Sequence, residues 1–279
     1  AVLPAGGATA PGLVYWVEAT LSDGSTQAVF ADAGAPHPVA LNDSFMEARR
    51  ERMLRYFEGR SSVLGVRGEY VDLGVPPGAT ARDGYGAFGA YYQHRFLGWV
   101  DELEVGLGLL RGRAVEVQDL SGADSEDDPD PPGDGDQDDT RVGINHAYGR
   151  VTFRLNDWLR LRGSMLLGVY TEGFTPGVDG AILLGYQQAT ELAFHAGTIE
   201  DHGGHAGLRL GWRSVPGFPM GATVEATNFP DASVTGVRLL YDVAYEWSPG
   251  RHLKIEAGYR GRTALSGGLS IGTEIAWSL

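Results

Sequence analysis

The chain has no cysteine. That absence removes disulfide frameworks, cysteine-ligated zinc, thiol catalysis and lipid attachment at a cysteine. Lysine is nearly missing too: Lys254 stands alone, and the other basic residues are arginine. No apolar run reaches the roughly 18 residues that a membrane-crossing helix requires. The first residues, AVLPAGGATAPG, contain no basic stretch followed by an apolar one. They read as a mature terminus left after signal cleavage, which fits export. Positive charge is scarce against 36 acidic residues, and the formal net charge of −14 argues against a nucleic-acid partner. Nine of those acids lie between Asp124 and Asp139, and without them the balance falls to −5, so the acidity is largely one local feature. Glycine is what the chain has in excess: 42 of 279 residues, roughly twice the usual share.

The second half alternates. Leu253, Ile255, Ala257 and Tyr259 share one parity, while His252, Lys254, Glu256, Gly258 and Arg260 share the other. Val237, Leu239, Tyr241, Val243, Tyr245 and Trp247 oppose Gly236, Arg238, Asp242, Ala244 and Glu246 in the same way. The pattern recurs at 102–110, 158–172, 205–213, 217–227 and 269–279. A period of two places successive side chains on opposite faces of a strand. A soluble sheet with one wet face shares that period. Here, however, the segments run about 10–15 residues, longer than usual strands, and the polar parity mixes glycine with charges of both signs. Those features fit a membrane-spanning barrel, whose strands show apolar-out, polar-in alternation. A soluble sandwich is the alternative.

Twelve strands are predicted: about 62–73, 83–96, 102–118, 141–155, 158–172, 177–188, 190–200, 203–213, 217–227, 233–247, 250–262 and 267–279. Short turns at Asn156-Asp157, Gln188-Ala189, Val215-Pro216-Gly217 and Ser248-Pro249-Gly250 alternate with mostly longer loops on the other side. Outer-membrane barrels keep their short turns periplasmic. An even strand count therefore puts both barrel termini on the periplasmic side. Trp99, Trp158, Trp212, Trp247 and Trp277 all fall at the short-turn end, as an interfacial aromatic girdle would.

Residues 1–61 read as a separate extension. Ser22-Asp23-Gly24-Ser25 between apolar runs is a hairpin signal. Ser44 and Glu47 fit a capping box at the start of a short amphipathic helix reaching Phe57. Such a segment would plug the barrel, lie on the inner leaflet of the outer membrane, or dock a partner. Alternatively, part of it adds two strands, making fourteen.

The repeated strands of two-residue period and the ending Gly268-Leu269-Ser270-Ile271-Gly272-Thr273-Glu274-Ile275-Ala276-Trp277-Ser278-Leu279 resemble bacterial outer-membrane β-barrel proteins as a class. The class usually finishes in Phe or Trp, whereas this chain ends in Leu279 with Trp277 two residues earlier. The resemblance implies an all-β, antiparallel up-and-down transmembrane barrel over 62–279, inserted from the periplasm by the barrel-assembly machinery. It implies outer-membrane lipid and lipopolysaccharide as its surroundings.

The inward parity supplies the candidate lumen residues: Arg67, Glu69, Glu104, Arg150, Arg154, Arg160, Arg162, Arg209, Arg213, Arg238, Asp242, Lys254, Glu256 and Arg260. Rings of mixed charge set pore selectivity, and mutual ion pairing would instead fill a narrow barrel. Asp128, Asp130, Asp134, Asp136 and Asp138 alternate with glycine and proline in the longest loop. Hard oxygen ligands at that spacing suit weak calcium binding, although a solvated, self-repelling loop explains them as well. His202 and His205 beside Glu200 and Asp201 form a second, weaker metal signal at a loop tip. No histidine stands near a serine in a catalytic spacing, and the His-x-Ser motif of outer-membrane phospholipases, which resemble this chain in size, is absent. Two functions are therefore expected: a porin-like channel or binding barrel for small polar solutes, or a structural barrel anchoring an envelope assembly for adhesion, motility or export.

Overall fold

The computed structural model of the chain describes residues 12–32, 34–40, 45–75, 82–115, 139–171, 173–186, 189–229, 235–261 and 267–279. The chain divides into two units, Ala1–Tyr56 and Phe57–Leu279.

The first unit holds β1 (Gly12–Tyr15), β2 (Val17–Thr20), β3 (Thr26–Phe30), β4 (His37–Ala40) and α1 (Phe45–Tyr56). The predicted hairpin forms between β2 and β3. Its turn is fixed by the Asp23 carboxylate, which accepts hydrogen bonds from the Ser25 backbone N–H at 2.9 Å and the Ser25 hydroxyl at 2.6 Å. Those bonds, the hydroxyl's first, hold the Asp23 carboxyl below its ordinary range. Gly24 takes the left-handed conformation the turn requires, with φ of 83°. The apolar run that precedes this turn breaks at Trp16 into β1 and β2, and β1 pairs with the distant β4. These four strands make two small sheets of their own. The fourteen-strand alternative is thereby corrected, because none of them joins the barrel.

The second unit is the barrel. Its strands are β5 (Ser62–Gly74), β6 (Asp83–Arg95), β7 (Val100–Val115), β8 (Asp139–Arg154), β9 (Leu159–Tyr170), β10 (Gly173–Gly185), β11 (Glu191–Ile199), β12 (Gly203–Val215), β13 (Phe218–Thr227), β14 (Gly236–Ser248), β15 (Arg251–Gly261) and β16 (Gly267–Ser278). Each pairs antiparallel with its sequence neighbour, and β16 returns to β5 from Leu269↔Asp72 to Ser278↔Val63. Closure leaves no sheet edge, which matters where no water is present to satisfy backbone N–H and C=O groups. Local chemistry sets the turns. The Asn156 side-chain oxygen accepts from the backbone N–H of Trp158 and Leu159 at 2.9 and 2.8 Å, closing the β8–β9 turn.

The apolar parity looks outward. Leu107 is 67% exposed, Met165 68% and Phe174 70%, and every barrel strand but β8 carries exposed large apolar side chains on this face. A water-soluble protein does not leave so continuous an apolar surface uncovered. This disposes of the sandwich alternative, in which those side chains would meet in a dry interior.

The barrel strands run from 9 residues in β11 to 16 in β7 and β8, whereas about 9–11 tilted residues cross a bilayer. The excess is visible as an inversion of polarity. Toward the long-loop end of β5, β7 and β8 the outward positions become Asp72, Arg111, Arg113 and Asn145. There Arg111 donates to Asn145 at 2.7 Å, and Arg82 pairs with Asp72 at 2.5 Å. The inward positions at the same level become apolar: Val71, Leu73, Tyr85, Leu110 and Ile144 form a buried cluster. The apolar-out, polar-in alternation therefore reverses at this level, because these strands extend beyond the hydrocarbon and the wet face moves outside.

Candidate functional site: the barrel lumen

Inside the barrel, charged residues on non-adjacent strands reach one another. Arg238 on β14 lies 2.6 Å from Glu69 on β5, 3.4 Å from Glu256 on β15 and 3.8 Å from Glu225 on β13. Ser270 donates to Glu69 as well, at 3.0 Å. Two strands separate β14 from β5 in the ring, so this group meets across the lumen. Arg209 pairs with Asp242 at 2.8 Å and Arg213 with Glu246 at 2.5 Å. Lys254 and His252 converge on Glu274, at 2.9 and 3.2 Å. Glu104 receives Arg150 at 3.1 Å and the Tyr148 hydroxyl at 2.8 Å, and Arg67 reaches that same hydroxyl at 3.3 Å. Arg260 binds the Phe229 carbonyl at 2.6 Å and the Tyr85 hydroxyl.

At the short-turn end the arrangement is tighter. Arg154 and Asp101 are each almost fully buried and lie 2.6 Å apart. Arg160 approaches the same Asp101 oxygen at 3.8 Å and binds Glu191. Arg154 and Arg160, expected among the selectivity residues, are thus enclosed in ion pairs and present no free charge to a pore. Arg162 contacts the Thr152 hydroxyl at 3.5 Å. It lines, with Glu104 and Arg150, a small void of about 60 Å³.

Between this layer and the apolar cluster at the long-loop end lies a larger cavity of about 420 Å³. Arg67, Arg238, Lys254 and Arg260 line it, and Glu69, Glu225, Glu256 and Glu274 oppose them. Both signs of charge therefore face one chamber with room for many waters or a small solute, and neither dominates. In such an enclosed setting hydrogen-bond donors and acceptors act on a solute more strongly than in bulk water.

Of the fourteen candidate residues, Arg67, Glu69, Arg238, Lys254, Glu256 and Arg260 line the chamber, and Glu104, Arg150 and Arg162 line the small void. The parity reading missed several of their partners. Asp101 sits where β7 shifts register against β8, so alternation did not assign it a face. Asp179, His195 and His205 hold inward parity positions, and their spacing within their strands was enough to find them. His202 and His205 do not act together as the tip reading expected. His202 is buried, hydrogen-bonded to the Glu200 carbonyl at 2.9 Å and edge-on to Tyr170 at 5.0 Å. His205 turns instead to Asp179 at 3.1 Å. The residues proposed for calcium, Asp128, Asp130, Asp134, Asp136 and Asp138, lie outside the described residues.

The five tryptophans lie near the short-turn end with exposed or half-exposed side chains, Trp99 the most open at 69%. They join other rings: Trp247 stands 6.0 Å from Trp277 and 6.2 Å from Tyr245, Phe218 5.4 Å from Tyr245, and Trp99 stacks on Phe153 at 5.5 Å. The Arg251 guanidinium covers the Trp277 face at 4.4 Å.

A closed twelve-strand ring with an apolar outside and a charged inside defines the class: the chain folds as an outer-membrane β-barrel. Solved structures agree at the level of fold. The β domain of the Bordetella autotransporter BrkA superposes with a TM-score of 0.53 at 14% identity, over 78% of this chain and 100% of that one. An outer membrane channel from Pseudomonas putida F1 gives 0.51 at 11% identity, over 79% and 96%. No family model matches the chain, and no curated protein does.

Proposed function

We propose that the protein is a porin-like channel or binding barrel of the bacterial outer membrane, taking small polar solutes through its lumen, and that it has no catalytic role. One observation carries the reading: the chamber of about 420 Å³ lined by four basic and four acidic side chains. Side chains of both signs in a confined aqueous space select by charge and hydrogen bonding. The barrel termini and the short turns face the periplasm, the tryptophan-bearing rim lies at the inner lipid interface, and outer-membrane lipid and lipopolysaccharide surround the apolar face. The test is conductance. Purified protein in planar bilayers should give ohmic steps, and a folded barrel that stays electrically silent and does not bind polar solutes overturns the reading.

A second reading rests on the separateness of Ala1–Tyr56 as a unit. A self-contained extension would dock other envelope proteins while the barrel serves as anchor. Removing residues 1–56 should then abolish co-purification of envelope partners while leaving conductance intact.

A further inference from the structure

Two adjacent rows of the sheet between β10 and β13 share one construction. In the first, Asp179, Gly197 and His205 are successive register partners on β10, β11 and β12. In the second, His195, Gly207 and Glu225 are successive partners on β11, β12 and β13. Each row has a glycine at its centre, and the two flanking side chains close across it. His205 Nε2 meets Asp179 at 3.1 Å, and His195 Nε2 meets Glu225 at 3.0 Å. The rows are two residues apart, so both imidazoles face inward, with ring centroids 5.7 Å apart. One ring nitrogen of each histidine and one carboxylate oxygen of Glu225 lie within 4.8 Å of one another.

We propose that His195, His205 and Glu225 form a binding site for a divalent transition-metal ion of the zinc type, with lumen water completing its coordination. The inference goes beyond conduction and holds whether or not the barrel conducts. Two imidazole nitrogens and one carboxylate oxygen are the donor set of zinc sites that keep one position open. Imidazole favours zinc, copper and nickel over calcium and magnesium, which prefer oxygen. Metal–ligand bonds of about 2.0–2.2 Å separate tetrahedral ligand atoms by about 3.3 Å, so closing the cluster onto an ion takes only side-chain rotation. Asp179 contacts a ring nitrogen of His205, as the outer carboxylates that orient ligating imidazoles do.

Charge and access agree. Glu225, Glu69 and Glu256 gather about the guanidinium of Arg238, so beside the site three carboxylates face one guanidinium although charge over the whole chamber is balanced. Arg67 and Lys254 also border the cavity, engaged with Tyr148 and Glu274 respectively. His205 and Glu225 line the large chamber, so an ion reaches them through the lumen.

The test uses the full chain, folded in detergent, stripped with EDTA and titrated with ZnCl2 by calorimetry. CoCl2 serves as a spectroscopic probe of nitrogen-containing coordination. One equivalent of zinc is expected, lost in the His195→Gln/His205→Gln double variant and weakened on the order of 10-fold in Asp179→Asn. Replacing the acidic residues of 124–139 with asparagine should leave that equivalent in place. Zinc should also protect the histidines of the unaltered protein from diethylpyrocarbonate, a measurement that does not depend on any variant folding. Unchanged stoichiometric binding by the double variant, binding that vanishes with the acidic stretch, or absence of both binding and protection in the folded protein would overturn the proposal.

Discussion

The ring of Tyr91 lies across Gly65 so closely that a Cβ added at the glycine would stand 2.3 Å from the ring. The two are register partners on β6 and β5, and the same arrangement repeats one step on, where Tyr148 on β8 covers Gly106 on β7. Gly65, Tyr91, Gly106 and Tyr148 thus form a single row over four strands. Each tyrosine lies down on a glycine and sends its hydroxyl to a carboxylate, Tyr91 to Glu274 at 2.9 Å and Tyr148 to Glu104 at 2.8 Å. Glycine costs a strand stability by itself, and here the covering ring offsets that cost.

Substituting Gly65→Ala should therefore lift the Tyr91 ring and break its bond to Glu274. Overpacking of this kind costs about 1–3 kcal/mol. Urea unfolding of the barrel in lipid vesicles measures it. Adding Tyr91→Ala to Gly65→Ala should remove the clash, so the two effects should combine to less than their sum. Strict additivity would show that the close contact is not maintained.

The buried pair of Arg154 and Asp101 makes a second prediction. With side chains 3% and 1% exposed and 2.6 Å apart, the two charges offset each other, and Arg160 also lies 3.8 Å from Asp101. Removing one partner of a buried pair leaves the other uncompensated and costs about 3–5 kcal/mol. Asp101→Asn should destabilise the barrel on that scale in the same assay. Asp72→Asn, which breaks the exposed pair with Arg82, should change little, because water already screens it. Equal effects of the two substitutions would mean that the short-turn layer is hydrated.

Alternation along the chain made the twelve strands legible, and with them the inward set of charged residues. It reports which face a side chain occupies but not which residue stands opposite. The meeting of His195 with Glu225 over Gly207, or of Arg238 with Glu69 across the lumen, depends on register and ring closure, and neither is written in a local period. Asp72 and Leu73 were opaque for a different reason. Past the bilayer boundary the polarity of the two faces reverses, so a single inside–outside rule misreads the strand ends. The pairing of β1 with β4 escaped because Trp16 interrupts the run and the partner lies more than twenty residues away.

Charge removal at the centre of the lumen should change ion selectivity in a predictable direction. Arg238 offsets Glu69, Glu225 and Glu256. Arg238→Ala leaves those carboxylates unopposed, so the lumen becomes more negative and cation preference rises. Glu69→Gln does the reverse and shifts preference toward anions. Reversal potentials under a KCl gradient measure both, and shifts of the same sign in the two variants would remove this cluster from the conduction path.

The last prediction concerns the surface that the lumen reading presupposes. Val105, Leu107 and Leu109 are successive outward residues of β7, 48%, 67% and 40% exposed, and the next outward position is already Arg111. If hydrocarbon covers this face, replacing each with arginine should cost most where the strand crosses the bilayer midplane, about 2–4 kcal/mol, and progressively less toward the interface. Leu107→Arg should therefore destabilise the barrel in lipid more than Leu109→Arg, whose neighbour along the strand is tolerated as arginine. In a water-facing sheet the same substitutions would be close to neutral and would lower the tendency to aggregate. Urea titrations of the three variants in vesicles separate these cases. A flat series would mean that β7 does not sit in a membrane at the depth its exposed apolar stripe implies, and the channel reading would lose its physical basis.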